Sequence, residues 1–279
     1  MKQLTTFLLI ALITATQVGC GGGANSDPAQ PNIQSSSLAY GNQATFYVGV
    51  TTLNPGTTFS ASNCSTLQST TSTAAGYLAY TCNVTASGPL VFTGTDASGK
   101  VIATQSFTVP NPLVMISATI GTTPASFVVE LNQAKAPIST DNFLRYVKDG
   151  FYTGTLFHRV IPNFVIQAGG FTTGLVPKTA TFNAIQLESQ NGLSNVKGSL
   201  AMARTSDPNS ATSQFYINLK DNTNLDYVNT NNPGYTVFGS VISGQSAIDS
   251  IAAVPTGAAS GLTDVPTTEI KITSATRIQ

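Results

Sequence analysis

Apolar residues in this chain recur at every second position, in short runs broken by turn residues. Ala44, Phe46, Val48 and Val50 alternate with Thr45, Tyr47, Gly49 and Thr51, and Leu78, Tyr80, Cys82 and Val84 repeat the pattern. Val114, Ile116 and Ala118 do the same, as do Phe127, Val129 and Leu131. A period of two puts each run's apolar side chains on one face of a strand, so the chain is expected to be mainly β. Charged residues make up only 9%, against about 25% in typical domains. Ser, Thr, Asn and Gln must then cover the surface, which suits strands and loops better than helices with charged faces. Two helices are the expected exceptions. One runs from about Thr140 to Asp149, with Pro137 before it, Ser139 or Thr140 as cap, Phe143 and Val147 on one face and Gly150 as its stop. The other, near Gln245 to Ala252, turns Ala247, Ile248 and Ile251 inward.

The 279 residues are enough for two ordinary domains. Pro110-Asn111-Pro112 ends one series of strands and forms a stiff joint. Residues 36–110 are predicted to form a small β-sandwich of immunoglobulin-like type, from short strands separated by turn chemistry such as Asp96-Ala97-Ser98-Gly99. They carry no chemical constellation; spacing or binding is their expected role. Residues 113–279 form the second domain. Formal net charge is zero, with 12 basic and 12 acidic residues, which lacks the basic footprint of a nucleic-acid binder.

The first residues belong to neither domain. Lys2 precedes a short apolar run, Phe7 to Ala15, too short to span a bilayer and read as a secretory signal. Gly19-Cys20 at its end resembles the lipobox of bacterial lipoproteins, with Gln17 where that motif usually has Leu. The resemblance implies a signal peptide over residues 1–19, acylation of Cys20 and a flexible tether over residues 20–35. The protein would then be lipid-anchored to a bacterial membrane, facing the periplasm or the exterior. A plain secretory signal with an incidental cysteine is the alternative. Cys64 and Cys82 remain, an even pair in an exported chain, and a disulfide between them is expected; two separate buried thiols are the alternative. Two thiols do not fill a zinc shell, and no metal or cofactor is expected.

The catalytic inventory is short. His158 is the one histidine, and there is no Gly-x-Ser-x-Gly elbow, phosphate-cradling glycine loop or metal-ligand cluster. An enzyme built from these residues needs a reaction without nucleophile, cofactor or general base. Three segments fit together: FHRVIPNFVIQAGGF over residues 157–171, GSLAMARTSDPNSATSQFYI over 198–217 and YTVFGSVISG over 235–244. Their order, spacing and content closely resemble cyclophilins, particularly the secreted bacterial type, from about Val114 to Ala275.

The resemblance implies an eight-stranded antiparallel barrel closed by two helices, peptidyl-prolyl cis-trans isomerase activity, and a groove on the barrel's outer face for proline-containing segments of exported proteins. By position it makes Arg159 the catalytic residue and Phe164, Val165, Tyr216 and Leu225 the walls of a proline pocket. Gln167, Ala203, Arg204 and Gln214 line the groove for the neighbouring peptide, and His158 is structural. Asn224 stands where many members have the Trp that hydrogen-bonds cyclosporin, so weak cyclosporin binding is expected. Tyr216 replaces a common Phe and brings a hydroxyl that must find a partner. Val165 replaces a common Met, and Tyr235 a common His. A binding module that captures proline segments with little turnover, and a surface protein acting through its sandwich, are the competing functions.

Overall fold

The computed structural model describes residues 31–50 and 53–279. The expected signal peptide, the expected lipidation site at Cys20 and most of the expected tether lie outside the described residues.

The first seven strands are β1 (Ile33–Ser35), β2 (Gln43–Gly49), β3 (Thr58–Ala61), β4 (Gln68–Thr70), β5 (Tyr77–Asn83), β6 (Gly88–Thr95) and β7 (Val101–Val109). They form two sheets, in the orders β1-β2-β5-β4 and β3-β6-β7. This is the strand order of a seven-stranded immunoglobulin constant-type sandwich. One core joins the sheets: Phe46 of β2 meets Phe92 of β6 with ring centroids 4.8 Å apart. A disulfide joins Cys64, just after β3, to Cys82 in β5. The first strand begins inside the segment expected to be tether, because Ile33 to Ser35 pair with Val48 to Phe46. Three residues are too few for alternation to reveal them.

After the Pro110-Asn111-Pro112 joint come β8 (Leu113–Ile120), β9 (Thr123–Leu131), α1 (Pro137–Lys148), β10 (Thr155–Ile161), β11 (Val165–Thr172), β12 (Val176–Pro177), β13 (Ser199–Met202), β14 (Phe215–Asn218), β15 (Val237–Ser243), α2 (Gln245–Ala252), β16 (Thr256–Ala259), β17 (Leu262–Pro266) and β18 (Ile270–Arg277). The main sheet runs β10-β18-β8-β9-β15-β13-β14-β11, and a β10–β11 pairing closes it. The result is an eight-stranded antiparallel barrel with two helices; β12 hangs from β11, and β16 pairs only with β17. Closure removes every free edge of the ring.

Alternation sets what faces the barrel's interior. Val114, Ile116 and Ala118 of β8 and Phe127, Val129 and Leu131 of β9 all enter the core. Helix α1 closes the barrel with Phe143, whose ring lies 5.1 Å from Tyr152 and 5.4 Å from both Phe215 and Phe238. It starts at Pro137, a turn earlier than its sequence suggests, and neither Ser139 nor Thr140 caps it. Glu188 does so from a distant loop, accepting from Ile138 N at 2.9 Å, Ser139 N at 2.8 Å and Ser139 Oγ at 2.7 Å. A carboxylate there satisfies free amides and opposes the positive end of the helix dipole. Glu188→Ala is therefore expected to lower stability by about 1–2 kcal/mol, measurable by urea unfolding.

The two domains touch beside α1. Tyr40 of the sandwich hydrogen-bonds Asp141, and Ser87 N donates to Gln133 Oε1 at 2.9 Å. Burial, then the Asp141 contact, hold the Tyr40 hydroxyl far above the ordinary tyrosine range.

Candidate active site on the barrel's outer face

The alternation that fills the barrel also builds its outer face. In β14, Phe215 and Ile217 point into the main core, so Tyr216 between them points outward. Ile166 and Ala168 of β11 leave Val165 and Gln167 outside, and Leu200 and Met202 of β13 leave Ala201 and, past the strand end, Ala203. Val165, Ala201, Tyr216 and Val237 form a second, smaller apolar cluster, with Phe164, Leu193, Ala203, Leu225 and Tyr235 against it. Above it is a concavity lined by Arg159, Phe164, Val165, Gln167, Ala203, Arg204, Tyr216, Leu225 and Tyr235. Eight of these are residues singled out from sequence. Gln214 lies in an adjoining hollow with His158, Arg159, Gln167, Phe171, Leu262 and Thr263.

A β-bulge presents Arg159. Phe157 pairs with Ala168 and Arg159 with Gln167, so two steps of β10 oppose one of β11. The extra residue, His158, lines the adjoining hollow and not the concavity. Its side chain is buried with Nδ1 unpartnered, and its ring lies 4.6 Å from Phe171. Burial, reinforced by the neighbouring Arg159 charge and opposed by a hydrogen bond with the Leu156 backbone, pushes the imidazole down to about 4. His158 is neutral at neutral pH and faces no carboxylate.

Two glutamines floor the groove, with Gln167 Nε2 donating to Gln214 Oε1 at 2.9 Å. The Gln214 side chain lies across Gly170, where an added Cβ would come within 2.4 Å of its Cδ. A glycine at this position leaves room for the glutamine pair.

The far wall rests on a polar network. The Tyr216 hydroxyl points away from the concavity and donates to Asn195 Oδ1 at 2.7 Å. Asn195 is held in turn by Asp226, whose Oδ1 accepts from its backbone N at 2.7 Å and its Nδ2 at 2.8 Å. Burial raises the Tyr216 hydroxyl far above the ordinary range, with Tyr235 and Asp226 adding to it. Since Asn218 Nδ2 also donates to Asn195 Oδ1, at 3.1 Å, Tyr216→Phe leaves that oxygen served. It should cost about 1 kcal/mol by chemical denaturation while turnover stays close to that of the unsubstituted chain.

Arg204 lines the concavity and also ties its wall together. Its Nε and Nη2 donate to Gly234 O at 3.0 and 2.8 Å, and its Nη1 to Thr205 O at 2.8 Å. The guanidinium also lies 4.4 Å from the centre of the Tyr235 ring, a cation–π distance. Three of its five N–H groups are thus engaged in holding the wall, and one on each terminal nitrogen is left. Tyr235 meets Tyr216 edge to face at 5.9 Å and is itself a pocket wall; its place in the YTVFGSV segment was the signal for it. Asn195 and Asp226 had no such signal, since their role depends on which residue lies behind Tyr216.

Residues 116–277 match the family model described as cyclophilin type peptidyl-prolyl cis-trans isomerase/CLD. The chain is similar to a peptidyl-prolyl cis-trans isomerase of Acinetobacter baylyi, at 50% identity over 59% of this chain and 84% of the relative. It is also similar to one of Streptomyces antibioticus, at 48% identity over 58% of this chain and 98% of the relative. Among solved structures it resembles a Cryptosporidium parvum cyclophilin type peptidyl-prolyl cis-trans isomerase crystallised in the presence of the dipeptide Ala-Pro. That likeness has a TM-score of 0.50 and 26% identity, covering 60% of this chain and 99% of the other. By its closed barrel and the match over more than half its length, the chain belongs to the cyclophilin-type peptidyl-prolyl cis-trans isomerase family.

Proposed function

We propose that this isomerase acts on Xaa–Pro bonds of exported polypeptides, with Arg159 stabilising the twisted imide while Phe164, Val165, Tyr216 and Leu225 hold the proline ring. One observation carries the reading: a guanidinium and a set of apolar walls line the same concavity, and none of its lining residues is acidic.

Rotation about a peptide bond has a barrier of about 18–20 kcal/mol, because the nitrogen lone pair is delocalised into the carbonyl. In the twisted state the lone pair returns to nitrogen. A donor aimed at that nitrogen, or at the carbonyl beside it, favours the twisted form over the planar one, which is differential binding of the transition state. Arginine suits the task because it stays charged in an apolar groove and offers several donors in a fixed fork. A rate gain of about 10⁵ requires about 7 kcal/mol, and one charge-assisted hydrogen bond supplies only about 1.5–3 kcal/mol. The grip of the pocket on the ring and the exclusion of water must contribute the rest. Uncatalysed isomerisation takes about 10–100 s, slow enough to limit the folding of a client.

Export and anchoring rest on the segment before the sandwich. In this reading Cys20 carries the lipid and the sandwich spaces the barrel from the membrane. Labelling cells with a radioactive fatty acid should mark the protein and leave Cys20→Ser unmarked; label retained by that variant would remove the anchor. Asn224 is exposed, next in the chain to the pocket residue Leu225, and has no indole to offer, which supports weak cyclosporin binding. The isomerase reading is tested by a protease-coupled assay on an Ala-Pro peptide, where a rate no higher than background would defeat it.

A further inference from the structure

Among the described residues one carboxylate reaches the Arg159 guanidinium, and it comes from a segment outside the barrel sheet. After α2 the chain forms the β16–β17 hairpin, in which Thr256 pairs with Pro266 and Gly257 with Val265 before the register shifts to Ala259 opposite Leu262. Asp264 lies within this irregular stretch at φ +60°, a conformation that side-chain-bearing residues rarely adopt and that Asp and Asn tolerate best. Its Oδ2 is 3.5 Å from Arg159 Nε, and the two side chains are 36% and 38% exposed. Stability does not account for this arrangement. An ion pair so open to water contributes little, and the left-handed backbone works against it.

We propose that Asp264 is a positioning residue for Arg159, a reading that rests on the catalytic role of that arginine given above. The contact is made to Nε, and neither terminal nitrogen of Arg159 has a protein partner among the described residues. The carboxylate therefore holds the guanidinium by its inner nitrogen and leaves the outer two for substrate. An arginine standing alone on the outer face of a strand would sample many rotamers, of which few point into the concavity. A tether at Nε narrows that set before substrate arrives, which is the economy of a preorganised donor. The hairpin that supplies Asp264 also places Leu262 and Thr263 in the hollow beside Arg159, Gln167 and Gln214, so the strand carrying the tether lies along the groove itself.

The test uses Asp264→Asn, which keeps the size and the tolerance of positive φ, and Asp264→Gly, which relieves the backbone. Both are measured in the full chain, alone and combined with Arg159→Ala. Each single substitution should lower kcat about 5-fold, the scale of an exposed ion pair, with KM little changed. The melting temperature of Asp264→Gly should be unchanged or higher. Neither should reduce activity further in the Arg159→Ala background, because residues acting as one unit are not additive. If the unsubstituted chain is active, Arg159→Ala is not, and both Asp264 variants keep full kcat, the positioning role is overturned while the isomerase reading stands. A kcat loss that persists without Arg159, or that follows a fall in melting temperature, also overturns it. An inactive unsubstituted chain overturns the catalytic reading on which the proposal rests.

Discussion

Replacing Arg159 with Ala should lower kcat/KM for a proline peptide by about 10²–10³-fold, the usual result of removing one preorganised donor from a transition state, with no measurable change in fold. The structure separates the two effects. Arg159 is 38% exposed and, among the described residues, its one ion pair is with a carboxylate that is itself 36% exposed, so truncation strands no buried charge. Its backbone pairing with Gln167 in β11 survives any side-chain change. Circular dichroism and the melting temperature should therefore match the unsubstituted chain while turnover collapses. Arg159→Lys keeps the charge but not the planar fork, and should fall between the two. An Arg159→Ala variant with full activity would leave the pocket without its electrophile, and the mechanism with it.

The second large effect is on stability and depends on pH. His158 titrates at about 4 in the folded protein, against an ordinary value of 6.5, chiefly because it is buried. The folded state thus prefers the neutral ring. Its contribution to stability is fully present above pH 6.5 and is lost as pH falls from there to about 4, where the imidazole must charge inside the protein. The whole shift corresponds to roughly 3 kcal/mol. Urea unfolding at pH 7.5 and pH 4.5 should show the loss, and a His158→Gln variant should show less of it. The difference between the two proteins isolates this group from carboxylates titrating nearby. An equal loss in both would mean that the buried imidazole is not the acid-sensitive element. Catalysis should behave otherwise: with His158 uncharged and no acidic residue lining the concavity, kcat/KM should be flat from about pH 6.5 to 9. A steep bell in that range would give His158 a chemical role that its burial against Phe171 does not suggest.

Much of the site is legible in the amino-acid sequence, and the reason is geometric. A strand turns alternate residues to opposite faces, so the apolar run of β14 that buries Phe215 and Ile217 also sends Tyr216 outward. The same logic places Val165 and Gln167 from β11. The aromatic and amide residues of the three motif segments could therefore be assigned to one surface by parity and resemblance together. Helix α2, with Ala247, Ile248 and Ile251 buried, followed from local periodicity in the same way.

Other features were decided by chain closure alone. His158 follows the alternation of neither face, because the bulge in β10 depends on how β11 pairs with it. Arg204 lines the concavity, yet the loop ending at Gly234 crosses close enough to accept from two of its N–H groups. That crossing needs a glycine: at φ +62°, an added Cβ at Gly234 would lie 2.5 Å from the Asp226 carbonyl carbon. The cap of α1 comes from Glu188, 49 positions beyond Ser139, and the partner of Arg159 from a hairpin beyond α2. Periodicity and turn chemistry report on neighbours within a few residues, so the amino-acid sequence by itself determined the strands, their inward and outward faces and the family. Which distant carboxylate, carbonyl or amide meets a given side chain is set only when the barrel closes, because that contact belongs to no single element.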